Sequence, residues 1–185
     1  MFRILDWLII LMLSPFLLTI YILCIMALFI TQGLPIHFCQ ERVGKSENSF
    51  KLYKFRSMIV DASMRGSYRT SNNDSRITRI GRFFRLTSLD ELPQFINVMR
   101  GEMSIVGPRP YVAAQKNDYE EVLWKERHSV LPGITGLAQV SGRSNSPVKE
   151  RLIHDLYYVR NRSLYLNLKI LFLTLLIVVR RKGSN

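Results

Sequence analysis

Hydrophobic and polar positions divide the chain into a greasy start, a mixed basic middle and a greasy end. Residues 7–36 carry no charge. About 20 apolar residues suffice to cross a bilayer core, so the segment is long enough. It is too long for a cleaved signal peptide, and no small-residue cleavage site follows it. It reads as a permanent anchor. Ser14-Pro15 interrupts it near the middle. Pro15 has no N–H and its ring clashes with the preceding turn, which predicts a kink. Ser14 can bond the local backbone and relieve part of that cost. Arg3 flanks the segment on one side, Arg42 and Lys45 on the other. Positive charge on both flanks conflicts with a clean crossing, and a re-entrant segment would keep both flanks on one side. Proline kinks also occur in spanning helices, so on these residues alone both geometries stand.

After Gly33 and Pro35 the pattern shortens. Phe50, Leu52 and Lys54 alternate with Lys51, Tyr53 and Phe55, which predicts a short aromatic-rich strand. A hairpin is expected around residues 44–48. Residues 63–75, with Gly66 and Asn72-Asn73-Asp74, read as a polar loop. A short helix is expected over residues 76–86. Arg76, Arg79, Arg82 and Arg85 recur every three residues and would share one face. Such a face is either solvated or bound to phosphate or lipid headgroups.

The helix leads into TSLDELPQF, residues 87–95, which sets Asp90 beside Glu91. Ser88 and Glu91 have capping-box spacing. Pro93 opposes that reading, because it would then fall beyond the first turn. The alternative is a helix that starts near Asp90 and ends at Gly101. Both carboxylates would sit at its N-terminal end, where the dipole favours their ionised forms. An ionised aspartate can act as a nucleophile and an ionised glutamate can hold Mg²⁺. Both the cap and the chemistry remain open at this point. In GPRP, Arg109 stands between two prolines that fix its backbone, which suits bidentate phosphate recognition. LPGITGLAQVSGR, residues 131–143, reads as a glycine-punctuated loop.

Composition narrows the partners. The 185 residues carry a formal charge of +12, and 48% are hydrophobic. The charge implies an anionic partner: nucleic acid, a phosphorylated ligand or an acidic membrane. The apolar excess lies at the two ends and favours a membrane surface. A purely basic membrane or nucleic-acid module would explain the charge, but neither GPRP nor the adjacent acids. Cys24 and Cys39 form no disulfide or metal pattern and read as free thiols in a reducing compartment. His37, His128 and His154 show no ligand spacing and read as structural.

Five stretches together resemble the bacterial sugar transferases, specifically the small monotopic phosphoglycosyl transferases. They are KFRSM (54–58), SLDELPQ (88–94), MSIVGPRP (103–110), PGITGLAQVSGR (132–143) and DLYYVRNRS (155–163). The Ser14-Pro15 pair also fits. The resemblance covers nearly the whole chain and looks like the minimal catalytic unit of the family. It implies an α+β, mainly helical fold in three parts. Residues 1–36 would be a re-entrant helix-break-helix anchor, broken at Ser14 and Pro15. Residues 37–163 would be a catalytic domain containing a small β-hairpin, on the cytoplasmic face of the bacterial inner membrane. Residues 164–185 would be an amphipathic interfacial helix and basic tail, in which Lys169 makes a second crossing costly.

The resemblance also implies the reaction. Asp90 would attack the β-phosphorus of a UDP-sugar, expel UMP and carry a covalent phospho-sugar. Polyprenol (undecaprenyl) phosphate would then take the sugar phosphate, the first membrane step of glycan assembly. Glu91 would bind Mg²⁺. Arg85 and Arg109 would contact phosphate, with Lys54, Arg56 and Arg143 as further candidates. The expected partners are the UDP-sugar, polyprenol phosphate and anionic lipid headgroups, without nucleic acid; a homodimer is left open. The alternative is an inactive relative or a basic membrane-surface scaffold. One departure stands out: Asn167 occupies a position where relatives commonly carry aspartate, which would weaken that anchor of the last helix.

Overall fold

The computed structural model describes residues 2–62, 64–66, 74–142 and 147–179. Helices dominate: α1 (Phe2–Gln32), α2 (Arg79–Leu86), α3 (Gln94–Arg100), α4 (Glu121–Arg127), α5 (Leu137–Ser141), α6 (Val148–Arg160) and α7 (Leu164–Val179). Among the described residues four short strands accompany them: β1 (His37–Val43), β2 (Ser49–Phe55), β3 (Ser104–Val106) and β4 (Gly133–Thr135).

Helix α1 continues across Ser14-Pro15 as one element. Pro15 cannot donate to the Leu11 carbonyl. The Ser14 hydroxyl donates to it instead, at 2.8 Å. Both ends of α1 dock on the same body. Near the start, Asp6 is buried, accepting from Ser104 Oγ at 2.7 Å and from the Ile105 amide at 3.1 Å. Ile10 joins a core with Leu52, Val98, Met103 and Tyr158. Near the end, Cys24 and Leu28 pack with Ile36, Phe55 and Phe84. Between these contacts Leu11, Met12, Phe16 and Leu18 are exposed.

Strands β1 and β2 form the expected hairpin, paired antiparallel with His37 opposite Phe55 and Val43 opposite Ser49. Its turn holds a short 3-10 segment, Lys45–Glu47. Two corrections concern the helix over residues 76–86. It begins at Arg79, capped by Thr78, whose hydroxyl accepts from the Gly81 amide at 3.0 Å. Arg76 therefore precedes it and pairs with Asp74 at 2.6 Å. The arginines share no single environment: Arg79 and Arg82 are exposed and Arg85 is half-buried.

The stretch 131–143 contains more order than a loop. Its GIT forms β4, parallel to β3, and its LAQVS forms α5. Gly107 and Gly133 let the two backbones meet: a Cβ on Gly133 would collide with the Gly107 amide nitrogen. The two motifs that looked separate in sequence, SIVG and GIT, thus form one small sheet.

Helix α7 buries Asn167 and Ile170 and exposes Leu164, Leu168, Phe172 and Leu175. Asn167 ties α7 to α6, accepting from the Tyr158 hydroxyl at 2.9 Å. The basic residues after Val179 lie outside the described residues, as do Arg143 and most of residues 63–75.

Candidate active site

The two acids lie in a 3-10 turn, Leu89–Glu91, rather than in an α-helix. Pro93 then caps α3, which starts at Gln94 and ends at Gly101 in the left-handed conformation. The capping box does not form. Ser88 has a left-handed backbone, with φ 57°, and its side chain caps nothing. A non-glycine residue held there stores strain of about 1–3 kcal/mol, which persists where surroundings enforce it. The turn gives the acids different surroundings. Asp90 is 7% exposed, and its nearest cation, Lys54 Nζ, stands 3.7 Å from Oδ2. Glu91 Oε1 accepts from Lys54 Nζ at 2.7 Å and from Arg109 at 2.8 Å.

These contacts separate the two ionisations. Burial pushes the Asp90 carboxyl above its ordinary value, and the Glu91 charge adds to the rise; Lys54, Arg85 and Arg109 offset only part of it. Burial also opposes ionisation of Glu91, but the Arg109 and Lys54 charges outweigh it and hold Glu91 far below the usual carboxylate range. The expectation that a helix dipole keeps both acids ionised is corrected here. Neither acid lies in the α-helix, and adjacent cations set the state of Glu91.

Of the phosphate-contact candidates, Lys54 comes from β2, Arg85 from α2 and Arg109 from the loop after β3. All three line one cleft of about 970 Å³ together with Asp90 and Glu91. Arg85 Nε donates to Ser57 Oγ at 3.0 Å. Arg109 keeps 46% of its side chain exposed, so its guanidinium is available to a ligand as well as to Glu91. Arg56 is placed differently. It is buried at the C-terminal end of α1, donating to the carbonyls of Gln32 at 2.6 Å and Gly33 at 3.0 Å. It reaches the cleft wall but not the acids. Arg143 is outside the described residues.

The rest of the cleft is mixed. Pro35, Phe38, Ile59, Val60, Leu86 and Ile177 contribute apolar walls, and Arg42, Tyr111, Arg151 and Asp155 line it as well. Among the described residues no cluster of three His, Cys, Asp or Glu exists. Mg²⁺ does not require one, because one or two carboxylates serve where substrate phosphates complete the shell. Glu91 Oε1 is held by two cations, which leaves Oε2 and the Asp90 carboxylate as oxygen donors. The pair fits a cation that arrives with a diphosphate.

Residues 1–181 match the bacterial sugar transferase family. The chain belongs to this family. It is 42% identical over 174 residues to the UDP-glucose:undecaprenyl-phosphate glucose-1-phosphate transferase of Klebsiella pneumoniae, covering 90% of this chain and 37% of that protein. It is 39% identical over 155 residues to the UDP-N-acetylgalactosamine-undecaprenyl-phosphate N-acetylgalactosaminephosphotransferase of Aeromonas hydrophila, covering 81% and 37%. It is 41% identical over 185 residues to the exopolysaccharide production protein PSS of Rhizobium leguminosarum bv. phaseoli, covering 94% and 90%. The chain thus spans a little over a third of the first two relatives and nearly all of the third.

Sequence reasoning missed Arg127. It is 2% exposed, pairs with Asp155, and donates to the Arg109 carbonyl at 2.6 Å. An arginine within a charged helix, EVLWKER, carries no signal that it points inward.

Proposed function

We propose that this bacterial sugar transferase moves a sugar-1-phosphate from a UDP-sugar to polyprenol phosphate, at a membrane surface. The observation that carries the reading is the pair of adjacent carboxylates, Asp90 buried and Glu91 held by two cations, inside a cleft edged by Lys54, Arg85 and Arg109. The relatives' names supply the substrate class.

In the first half-reaction an Asp90 carboxylate oxygen attacks the β-phosphorus of the donor. The phosphoanhydride bond breaks and UMP leaves with the bonding pair. The product is an aspartyl phospho-sugar. In the second half-reaction a phosphate oxygen of the polyprenol phosphate attacks that phosphorus. Asp90 leaves as carboxylate, and a polyprenyl-diphosphate sugar is released. The Asp90 carboxylate must approach an anionic target, so shielding decides the rate. Lys54 and Arg109 supply fixed positive charge beside the acids, and Arg85 adds to it from α2. Glu91 would hold Mg²⁺, which when bound neutralises diphosphate charge and improves the leaving group. Burial raises the Asp90 pKa, and positive charge brought beside the carboxyl lowers it.

The membrane placement follows from the same chain. Helix α1 is the one described helix long and apolar enough to cross a membrane. Both its ends touch the catalytic body, through Asp6 and Ile10 at one end and Cys24 and Leu28 at the other. This supports a re-entrant segment entering and leaving on one face, with Ser14-Pro15 at its exposed middle. The apolar exposed side of α7 supports a helix lying at the interface. The apolar walls of the cleft suit a lipid-linked acceptor. The face would be the cytoplasmic side of the inner membrane, where UDP-sugars are available.

The test is UMP release by detergent-solubilised protein given Mg²⁺, undecaprenyl phosphate and, in turn, UDP-glucose, UDP-galactose and UDP-N-acetylgalactosamine. Release with at least one donor, abolished in Asp90→Asn, is expected. Absence of release with every donor would contradict the assignment.

A further inference from the structure

Arg109 belongs to a loop with little backbone donor capacity, because Pro108 and Pro110 have no N–H. The loop is held by its carbonyls. The Gly133 amide donates to Pro108 at 2.9 Å, and the Val43 amide donates to Tyr111 at 2.8 Å. Arg42 NH1 donates to Pro110 at 3.2 Å. The carbonyl of Arg109 itself is held by Arg127 NH2, at 2.6 Å.

Arg127 is constrained on every side. Asp155 Oδ2 accepts from its Nε at 2.8 Å and lies 2.8 Å from its NH2. Its guanidinium carbon sits 3.7 Å from the centre of the Tyr111 ring. Its NH1 is 3.3 Å from His128 Nε2, and His128 Nδ1 is 2.8 Å from the Trp124 carbonyl. A neutral imidazole protonated on Nδ1 satisfies both contacts. The network runs from α6, through the end of α4, to the arginine that bonds Glu91.

Stability is a poor explanation for this pair. Desolvating two charges offsets most of their attraction, and apolar replacements of buried pairs are often neutral or stabilising. Asp155 Oδ1 also has no hydrogen-bond partner, so the arrangement is not optimised for bonding. What the pair does supply is a fixed donor on the Arg109 backbone. We propose that Arg127 and Asp155 are positioning residues that set the Arg109 guanidinium against Glu91 and the donor diphosphate. The inference rests on the phosphoglycosyl transfer reading above.

The test removes the pair together, as Arg127→Met with Asp155→Leu in the full chain, so that no buried charge is left alone. The melting temperature should stay near that of the parent. kcat/KM for the UDP-sugar should fall by about ten- to a hundredfold, the scale set by misplacing a positioning group by about 1 Å. Arg109→Ala should cost much less in this background than in the parent, because the guanidinium is already displaced. An independent readout is the Nε–H resonance of Arg109, assigned with Arg109→Lys, which should lose its distinct shift when the pair is removed. Parent-level kcat/KM in the pair-deleted protein, additive losses on adding Arg109→Ala, or an unchanged Arg109 resonance would each overturn the proposal. If Arg109→Ala alone leaves turnover intact, the phosphate role of Arg109 fails, and the resonance still decides whether the pair positions it.

Discussion

Glu91 Oε1 takes both Lys54 at 2.7 Å and Arg109 at 2.8 Å, whereas Asp90, the residue before it, has its nearest cation at 3.7 Å. Two neighbours in sequence therefore have opposite relations to the fold. Asp90 is held above its ordinary value of 3.8 and Glu91 below its ordinary value of 4.5. The consequence for stability has opposite signs. A raised Asp90 favours the folded state below pH 3.8, an advantage lost as pH rises through the folded value. A depressed Glu91 favours the folded state above pH 4.5, an advantage lost as pH falls through the folded value. At pH 7, Asp90→Asn should therefore raise the melting temperature, while Glu91→Gln should lower it. Scanning calorimetry of both variants across pH checks the signs. A lower melting temperature for Asp90→Asn at pH 7 contradicts the assignment of its environment.

Lys54 faces both acids and should matter for turnover more than for folding. Lys54→Met removes one charged hydrogen bond to Glu91 and the nearest cation to Asp90. Such a bond is worth about 1.5–3 kcal/mol, or roughly ten- to a hundredfold in rate. The acidic limb of the pH–rate profile should move to higher pH, because Asp90 loses part of what opposes its burial. Profiles of kcat/KM for parent and variant read both effects.

The start of α1 is fastened by one buried carboxylate. Asp6→Ala leaves Ser104 Oγ and the Ile105 amide without their acceptor. Each orphaned buried group costs about 1–3 kcal/mol, so the melting temperature should drop by several degrees. Limited proteolysis should cut first within the N-terminal part of α1. An unchanged melting temperature means that the helix end is held by its apolar contacts alone.

His128 should contribute a separate pH dependence. Burial, with the Arg127 charge beside it, pushes its imidazole down to about 4 from 6.5. The folded state therefore disfavours the protonated ring. Stability from this residue is full above pH 6.5 and is lost as pH falls towards 4. In His128→Gln that part of the slope should disappear. Chemical denaturation of both proteins between pH 4 and 7 measures it.

The elements with strong local signals were legible in sequence. The uncharged run became α1, the aromatic alternation became β2, and Gly101 ended α3 because its backbone is left-handed. Most of what escaped depended on distant partners. Strands β3 and β4 are three residues each, too short to alternate, and exist because Gly107 and Gly133 let two segments touch. Helix α2 started late for a local reason, the Thr78 hydroxyl that caps it, which the arginine spacing obscured. In the site, the paired acids and Arg109 stood out by residue type and spacing, whereas the choice of Lys54 and Arg85 came from the family resemblance. Arg127 did not stand out, because burial of one arginine in a charged helix depends on Asp155, which lies 28 residues along the chain. Arg56 was readable as a basic residue, but its commitment to the α1 carbonyls was not.

The central claim is covalent catalysis on Asp90. Intact-protein mass spectrometry tests it most directly, after incubation with Mg²⁺ and each UDP-sugar but without polyprenol phosphate. The account predicts a phospho-sugar adduct on the parent, with release of UMP, and none on Asp90→Asn. An adduct that survives in Asp90→Asn, or turnover with polyprenol phosphate and no adduct under any single-substrate condition, would contradict it.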